Sequence, residues 1–214
     1  MRSPTGAFVV FEGGDGVGKT TQVDLLCSWL AERGYEVVRT FEPGDTAVGA
    51  DIRRIVLDPA TGEMSPRAEA LLYAADKAQH LYAVVEPALR RGAVVVCDRY
   101  VDSMLAYQGA GRVLALEELE QMARWATEDL RPHLTVLLDT TLEQAVQVKA
   151  DLDRLEATGD EFHRRARQFF LELAAREPEN YLVLDARASR EQISAQVVDR
   201  LMPLLSGVAA RIEA

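Results

Sequence analysis

Short apolar runs alternate with amphipathic stretches along most of the chain. Residues 7–11 are apolar throughout, β-branched at Val9 and Val10, and lead into Gly13-Gly14; this predicts a buried strand. From Lys19 the period changes. Val23, Leu26, Trp29 and Leu30 recur at helical spacing, and Gly34 stands where a helix-ending glycine belongs. Residues 35–39 read as a second strand. Residues 51–57 read as a helix with Ile52, Ile55 and Val56 on one side, stopped by Asp58-Pro59. Ser65-Pro66 opens a long helix. Its predicted buried face is Leu71, Leu72, Ala75, Tyr82, Val85 and Leu89, and Pro87 kinks or breaks its last turn.

Residues 93–97, AVVVC, form the continuous apolar run of a central parallel strand. Leu116, Leu119, Met122, Ala123 and Ala126 mark another helix. Residues 134–138 and 181–184 read as strands, 141–149 and 160–176 as helices. Ile193, Val197, Leu201 and Leu204 give a final amphipathic helix. About five strands separated by helices predict an α/β fold with a parallel sheet covered on both faces. Residues 109–112 and 150–159 are the most loop-like, and neither is long enough to link domains. The expectation is one domain spanning 1–214.

No apolar run approaches the length of a membrane span. The first residues lack the apolar core and cleavage site of a secretory leader, so a cytoplasmic protein is expected. With 48% hydrophobic and 27% charged residues, the 214-residue chain has material for a core and is not of disordered composition. Its net charge of −10 excludes a broad basic footprint for nucleic acid. Lysine is scarce: Lys19, Lys77 and Lys149 are the only three. Cys27 and Cys97 have apolar neighbours and read as reduced, buried thiols.

Gly13, Gly14, Asp15, Gly16, Val17, Gly18, Lys19 and Thr20 fit the phosphate-loop pattern G-x-x-x-x-G-K-S/T, with a strand before and a helix after. Glycines let backbone N–H groups turn inward around a phosphate, and the helix presents its positive end to the same anion. Lys19 would reach the β- and γ-phosphates of ATP. The Thr20 hydroxyl would ligate Mg²⁺, and Thr21 completes the stretch. The plain alternative is a glycine-rich turn without a ligand. The only asparagine, Asn180, leaves no guanine-reading NKxD, which argues against a GTPase switch. Asp98-Arg99-Tyr100 follows the strand 93–97, at the end of a sheet where ligands bind. Asp98 could hold the metal's shell and Arg99 could clamp a phosphate; the rival is an ordinary strand-end ion pair.

The stretch from Asp98-Arg99-Tyr100-Val101-Asp102-Ser103 through Tyr107-Gln108-Gly109 to Arg112 resembles the signature of bacterial thymidylate kinases, which are P-loop nucleoside monophosphate kinases. Further blocks resemble the family in order: Phe11-Glu12-Gly13 with the phosphate loop, Glu42-Pro43-Gly44, residues 52–57, residues 72–80 and Asp153-Arg154-Leu155-Glu156. The resemblance implies a P-loop NTP hydrolase fold with a five-stranded parallel sheet, helices on both faces and a short lid near 146–160. It implies Mg²⁺- and ATP-dependent phosphorylation of dTMP to dTDP by a homodimer. Lys19, Asp98, Arg99 and Arg154 would then be catalytic, and Thr20, Asp98 and Glu42 would face the metal. Arg53 and Arg99 would hold the acceptor monophosphate, with Glu42 beside it and Asp15 on the 3′-hydroxyl. Tyr73 would stack on the base, Lys77, Met104 and Gln108 would approach it, and Tyr107 would lie against the sugar. Each has a plain rival: Arg53 as a solvated helix face, Tyr73 as core, and His80, His133 and His163 as surface or packing residues.

Departures from the family cluster. Phe41 replaces an arginine, Asp45 a glycine, Lys77 the arginine that reads the thymine edge, and Met104 a polar base contact. Neither the loop position Val17 nor residues 146–152 supply an arginine for the transferring phosphoryl group; Arg164, Arg165 and Arg167 follow on the next helix. Three readings stand: a dTMP kinase, a kinase for a modified deoxypyrimidine monophosphate, and a weakly active nucleotide-binding interaction module.

Overall fold

A computed structural model describes residues 6–112, 114–141 and 159–208. The elements run β1 Ala7–Gly13, α1 Lys19–Ala31, β2 Val37–Phe41, α2 Ala47–Leu57, α3 Pro66–His80, α4 Glu86–Arg90, β3 Val94–Asp98, α5 Val101–Met104, α6 Leu116–Ala126, β4 Leu134–Asp139, α7 Asp160–Arg176, β5 Tyr181–Asp185 and α8 Arg190–Leu201. The five strands form one parallel sheet in the order β2-β3-β1-β4-β5. β1 is central, with Phe11 beside Asp98 of β3 and Gly13 beside Leu138 of β4.

Successive strand residues face opposite sides, and each side has its own core. Phe8, Val10, Val95, Cys97 and Leu137 pack under α2, α3, α6 and α7. Val9, Phe11, Val94, Val96, Val136 and Leu138 pack under α1 and α8. Each such fully buried Val, Leu or Phe side chain is worth roughly 1.5–3 kcal/mol of transfer free energy. Among the described residues no helix is long and apolar enough to cross a membrane.

Several expectations need correction. The predicted face is buried only in part: Leu71 is 60% exposed and Tyr82, just beyond the helix, 75%, whereas Leu72 packs on the core and Val85 and Leu89 are buried. The side turned inward carries Glu69, Ala70, Tyr73, Ala74, Asp76, Lys77 and His80. Small residues let the helix approach closely, and the charged ones have partners that offset their desolvation. Residues 109–112 are not a loop. They largely belong to a wide π-helical segment, Leu105–Gly111, continuing α5, in which Arg112 and Leu114 N–H groups bond to carbonyls five residues back. Gly111 is required there, because a Cβ would sit 2.4 Å from the Phe162 ring. A second π turn, Leu81–Val85, precedes Pro87, absorbing the break its missing N–H makes in the helical ladder. α2 starts earlier than predicted, where the Thr46 side chain accepts from the Gly49 N–H. The lid, Arg154, Lys149 and nearly all of the predicted helix 141–149 lie outside the described residues.

Candidate active site

The phosphate loop joins β1 to α1. Gly13 has φ +133, and a Cβ there would lie 2.3 Å from the Leu138 carbonyl, so β1 and β4 can meet only around a glycine. Gly16 and Gly18 also have positive φ and carry the loop to the N-terminus of α1. Lys19 is buried and curls back over the loop, its Nζ donating to the carbonyls of Gly13 (3.1 Å) and Gly14 (2.5 Å). Burial, followed by the neighbouring Arg99 charge, lowers the Lys19 ammonium to about 8. Because β3 lies beside β1, Asp98 meets the loop's far end: the Thr20 hydroxyl donates to Asp98 Oδ2 at 2.9 Å.

Arg99, the next residue, adopts φ +69, an uncommon conformation for a side-chain-bearing residue and one found at functional turns. The turn aims its guanidinium across the end of β1. Nη1 donates to the Gly13 carbonyl and Ser103 Oγ, both at 3.0 Å, and Nη2 to Asp15 Oδ1 at 2.5 Å. The guanidinium also lies 5.4 Å from the Tyr107 ring centroid. Burial would raise the Asp15 carboxyl, but Arg99 and Lys19 outweigh it and hold the acid at about 2.

Glu12 was missed by the reading of roles. It is fully buried and accepts from the Tyr100 and Ser103 N–H groups (2.8 and 3.2 Å) and the Ser103 hydroxyl (2.6 Å). It fixes the start of α5 against β1. The signal was available: an acid inside an otherwise apolar strand.

The second cluster lies beyond β2. Arg53 of α2 donates to the Pro43 carbonyl at 2.7 Å, passes against Gly44 and lies 5.7 Å from the Phe41 ring. Asp76 Oδ1 accepts from the Gly44 N–H at 3.1 Å. Burial, then repulsion from Glu42, pushes the Asp76 carboxyl up to about 6. Glu42 is not offered to a metal: it is buried, with Oε2 on Lys77 Nζ (2.5 Å) and Oε1 on His80 Nδ1 (2.7 Å). Lys77 is buried as well and also donates to the Tyr100 carbonyl at 2.9 Å. Met104 sits in the core. Burial holds all three side chains, and pairing holds Glu42 and Lys77.

Tyr73 is buried in the same core, and Tyr107 stacks on Phe162 with centroids 5.8 Å apart. Gln108 donates to Glu69 at 3.0 Å, and Arg112 forks onto both Glu69 oxygens at 3.2 Å. In the first half of α7, Arg164 binds Glu161, Arg165 binds the carbonyls of Ala110 and Gly111, and Arg167 forks onto Asp139 at 2.7 and 2.8 Å. Each is spent on a neighbour.

Thr20 and Asp98 supply one hydroxyl and one carboxylate, a hard-oxygen pair that suits Mg²⁺, which keeps waters and takes phosphate oxygens. Among the described residues no group of three His, Cys, Asp or Glu side chains could hold a metal unaided. Past the ends of β4 and β5 lies a cavity of about 270 Å³ lined by Asp139, Thr140, Arg167, Leu184, Asp185 and Arg187. The buried Thr140 hydroxyl has no partner among the described residues.

The arrangement can therefore seat a polyphosphate on the loop, with one guanidinium reaching from β3 and another, that of Arg53, beyond β2. A thymidylate kinase family model matches residues 11–197. Thymidylate kinase of Cutibacterium acnes is 58% identical over 201 residues, covering 94% of this chain and 98% of the relative. That of Clavibacter sepedonicus is 53% identical, covering 96% and 99%. The crystal structure of thymidylate kinase from Ehrlichia chaffeensis superposes with a TM-score of 0.76 at 27% identity, covering 92% of this chain and 98% of that one. The chain belongs to the thymidylate kinase family.

Proposed function

We propose that this chain transfers the γ-phosphoryl group of ATP to dTMP, giving ADP and dTDP. The observation that carries the reading is Arg99, which touches the phosphate loop at Gly13 and Asp15 while reaching toward Ser103 and Tyr107. It joins the donor and acceptor sides, and phosphoryl transfer needs two anions held in line with their charge neutralised. Lys19 leaves its loop carbonyls for the β- and γ-phosphates. Arg53 and Arg99 hold the acceptor monophosphate, and Asp15 takes its 3′-hydroxyl. Tyr73 and Gln108 flank the base, and Tyr107 closes on the sugar. Thr20 and Asp98 hold Mg²⁺, which when bound neutralises the phosphate oxygens. With the acceptor pocket on the β2 side, the donor's nucleoside extends toward the cavity over β4 and β5.

No observation favours a modified base. Acceptor-dependent ADP release tests the proposal. Turnover with ATP and dTMP that disappears in Lys19→Ala supports it; ADP release indifferent to dTMP contradicts it.

We also propose a homodimer formed through α2, α3 and α6, which pack side by side. Their outer surface exposes Val48 (51%), Leu71 (60%) and Trp125 (84%), with Tyr82 (75%) just beyond α3. Scattered apolar residues need no explanation, but apolar side chains on three adjacent helices suit a partner surface.

A further inference from the structure

The turn Glu42-Pro43-Gly44-Asp45 is stapled from beneath by a continuous relay that no part of the proposed chemistry uses. Asp45 Oδ2 meets Thr40 Oγ1 at 2.5 Å, and Thr40 Oγ1 meets His80 Nε2 at 2.5 Å. His80 Nδ1 meets Glu42 Oε1 at 2.7 Å, and Glu42 Oε2 meets Lys77 Nζ at 2.5 Å. The relay thus joins both ends of the turn to β2 and α3. Thr40, Glu42, Lys77 and His80 are all buried.

The bond directions follow from the inventory of donors. Thr40 has one hydroxyl proton, and the Asp45 carboxylate can only accept it. Thr40 Oγ1 also lies 2.5 Å from His80 Nε2, so the one hydroxyl sits between the carboxylate and the ring. Glu42, kept ionised by Lys77, can only accept as well, so Nδ1 donates. The ring reaches Thr40 from one nitrogen and Glu42 from the other, bolting one end of the turn to the other. Above the turn, the Pro43 carbonyl accepts from Arg53 Nη1 at 2.7 Å. Any shift of the turn therefore moves the carbonyl that aims Arg53.

We propose that His80 is a positioning residue for acceptor binding: through Thr40–Asp45 on one side and Glu42–Lys77 on the other, it holds the turn that directs Arg53. This rests on the proposed role of Arg53 at the acceptor phosphate. It also accounts for Asp45, where the family has glycine, as the outer anchor of the staple.

The test is steady-state kinetics of the full chain with dTMP and ATP varied separately, combined with ¹⁵N NMR of the three histidines. His80→Ala is expected to raise KM for dTMP about tenfold and to leave KM for ATP within about twofold. Thr40→Val and Asp45→Gly should shift the same constant in the same direction. Because they act in one relay, adding Asp45→Gly to His80→Ala should cost less than about twofold more. The His80 Nε2 resonance should shift in Asp45→Gly, while those of the other two histidines stay in place. KM values that rise alike for both substrates, multiplicative effects of the two substitutions, or an Nε2 resonance unmoved by Asp45→Gly would overturn the proposal. If His80→Ala does not fold, Thr40→Val and Asp45→Gly decide, and an unchanged dTMP KM in both refutes it. A wild type without dTMP-dependent turnover would instead sink the assigned function, while the His80 ring resonance still reports on the relay.

Discussion

Lys19 lies where burial and a need for charge oppose each other. Its ammonium, lowered to about 8 by desolvation and by Arg99, is charged below that pH and neutral above it. A polyphosphate on the loop favours the charged form. ATP affinity of the free protein should therefore fall as pH rises from 7 to 9, with proton uptake on binding at the upper end. Calorimetric titration in buffers of different ionisation enthalpy measures both; an affinity flat across that range would contradict the placement. The phosphate loop was legible because all its parts are contiguous. Glu12, Glu69 and His80 were not, because Glu12 meets Ser103 91 positions away, Glu69 meets Gln108 39 away, and His80 meets Thr40 40 away. For His80 a faint signal existed: Tyr73, Asp76, Lys77 and His80 share one helical face.

At the scale of elements, β3 and β4 follow closely from their apolar runs, because strands buried on both faces need apolar side chains throughout. α3 shows where the same logic stops. Periodicity says that a helix has an apolar side, not which neighbour that side meets. Here the charged side faces inward, and only the partners on β2, on the turn after it and on the π segment make that tolerable. α2 is held against the turn by Gly49, where a Cβ would fall 2.5 Å from Asp76 Oδ1 and 3.2 Å from Gly44 Cα. Gly49→Ala should push α2 away, costing about 1–3 kcal/mol of stability by overpacking. It should also raise KM for dTMP more than KM for ATP. Urea unfolding and kinetics on the same preparation check both; a neutral substitution would mean that the contact yields.

For the whole molecule, the strand order divides the labour: β1 and β3 meet at the phosphate loop, β2 with α2 and α3 builds one side, and β4 with β5 the other. The α2–α3–α6 surface should hold the dimer. Leu71→Glu with Tyr82→Glu is expected to give a monomer by sedimentation, from a wild-type dimer at micromolar concentration; a monomeric wild type would remove that interface from the account. The central claim is that this loop and these guanidiniums serve phosphoryl transfer to a pyrimidine deoxynucleotide. Its most direct measurement is coupled ADP release with ATP across dTMP, dUMP, dCMP, dGMP and dAMP. The account predicts the highest kcat/KM for dTMP and little turnover with purines; equal use of all five, or none of any, would contradict it.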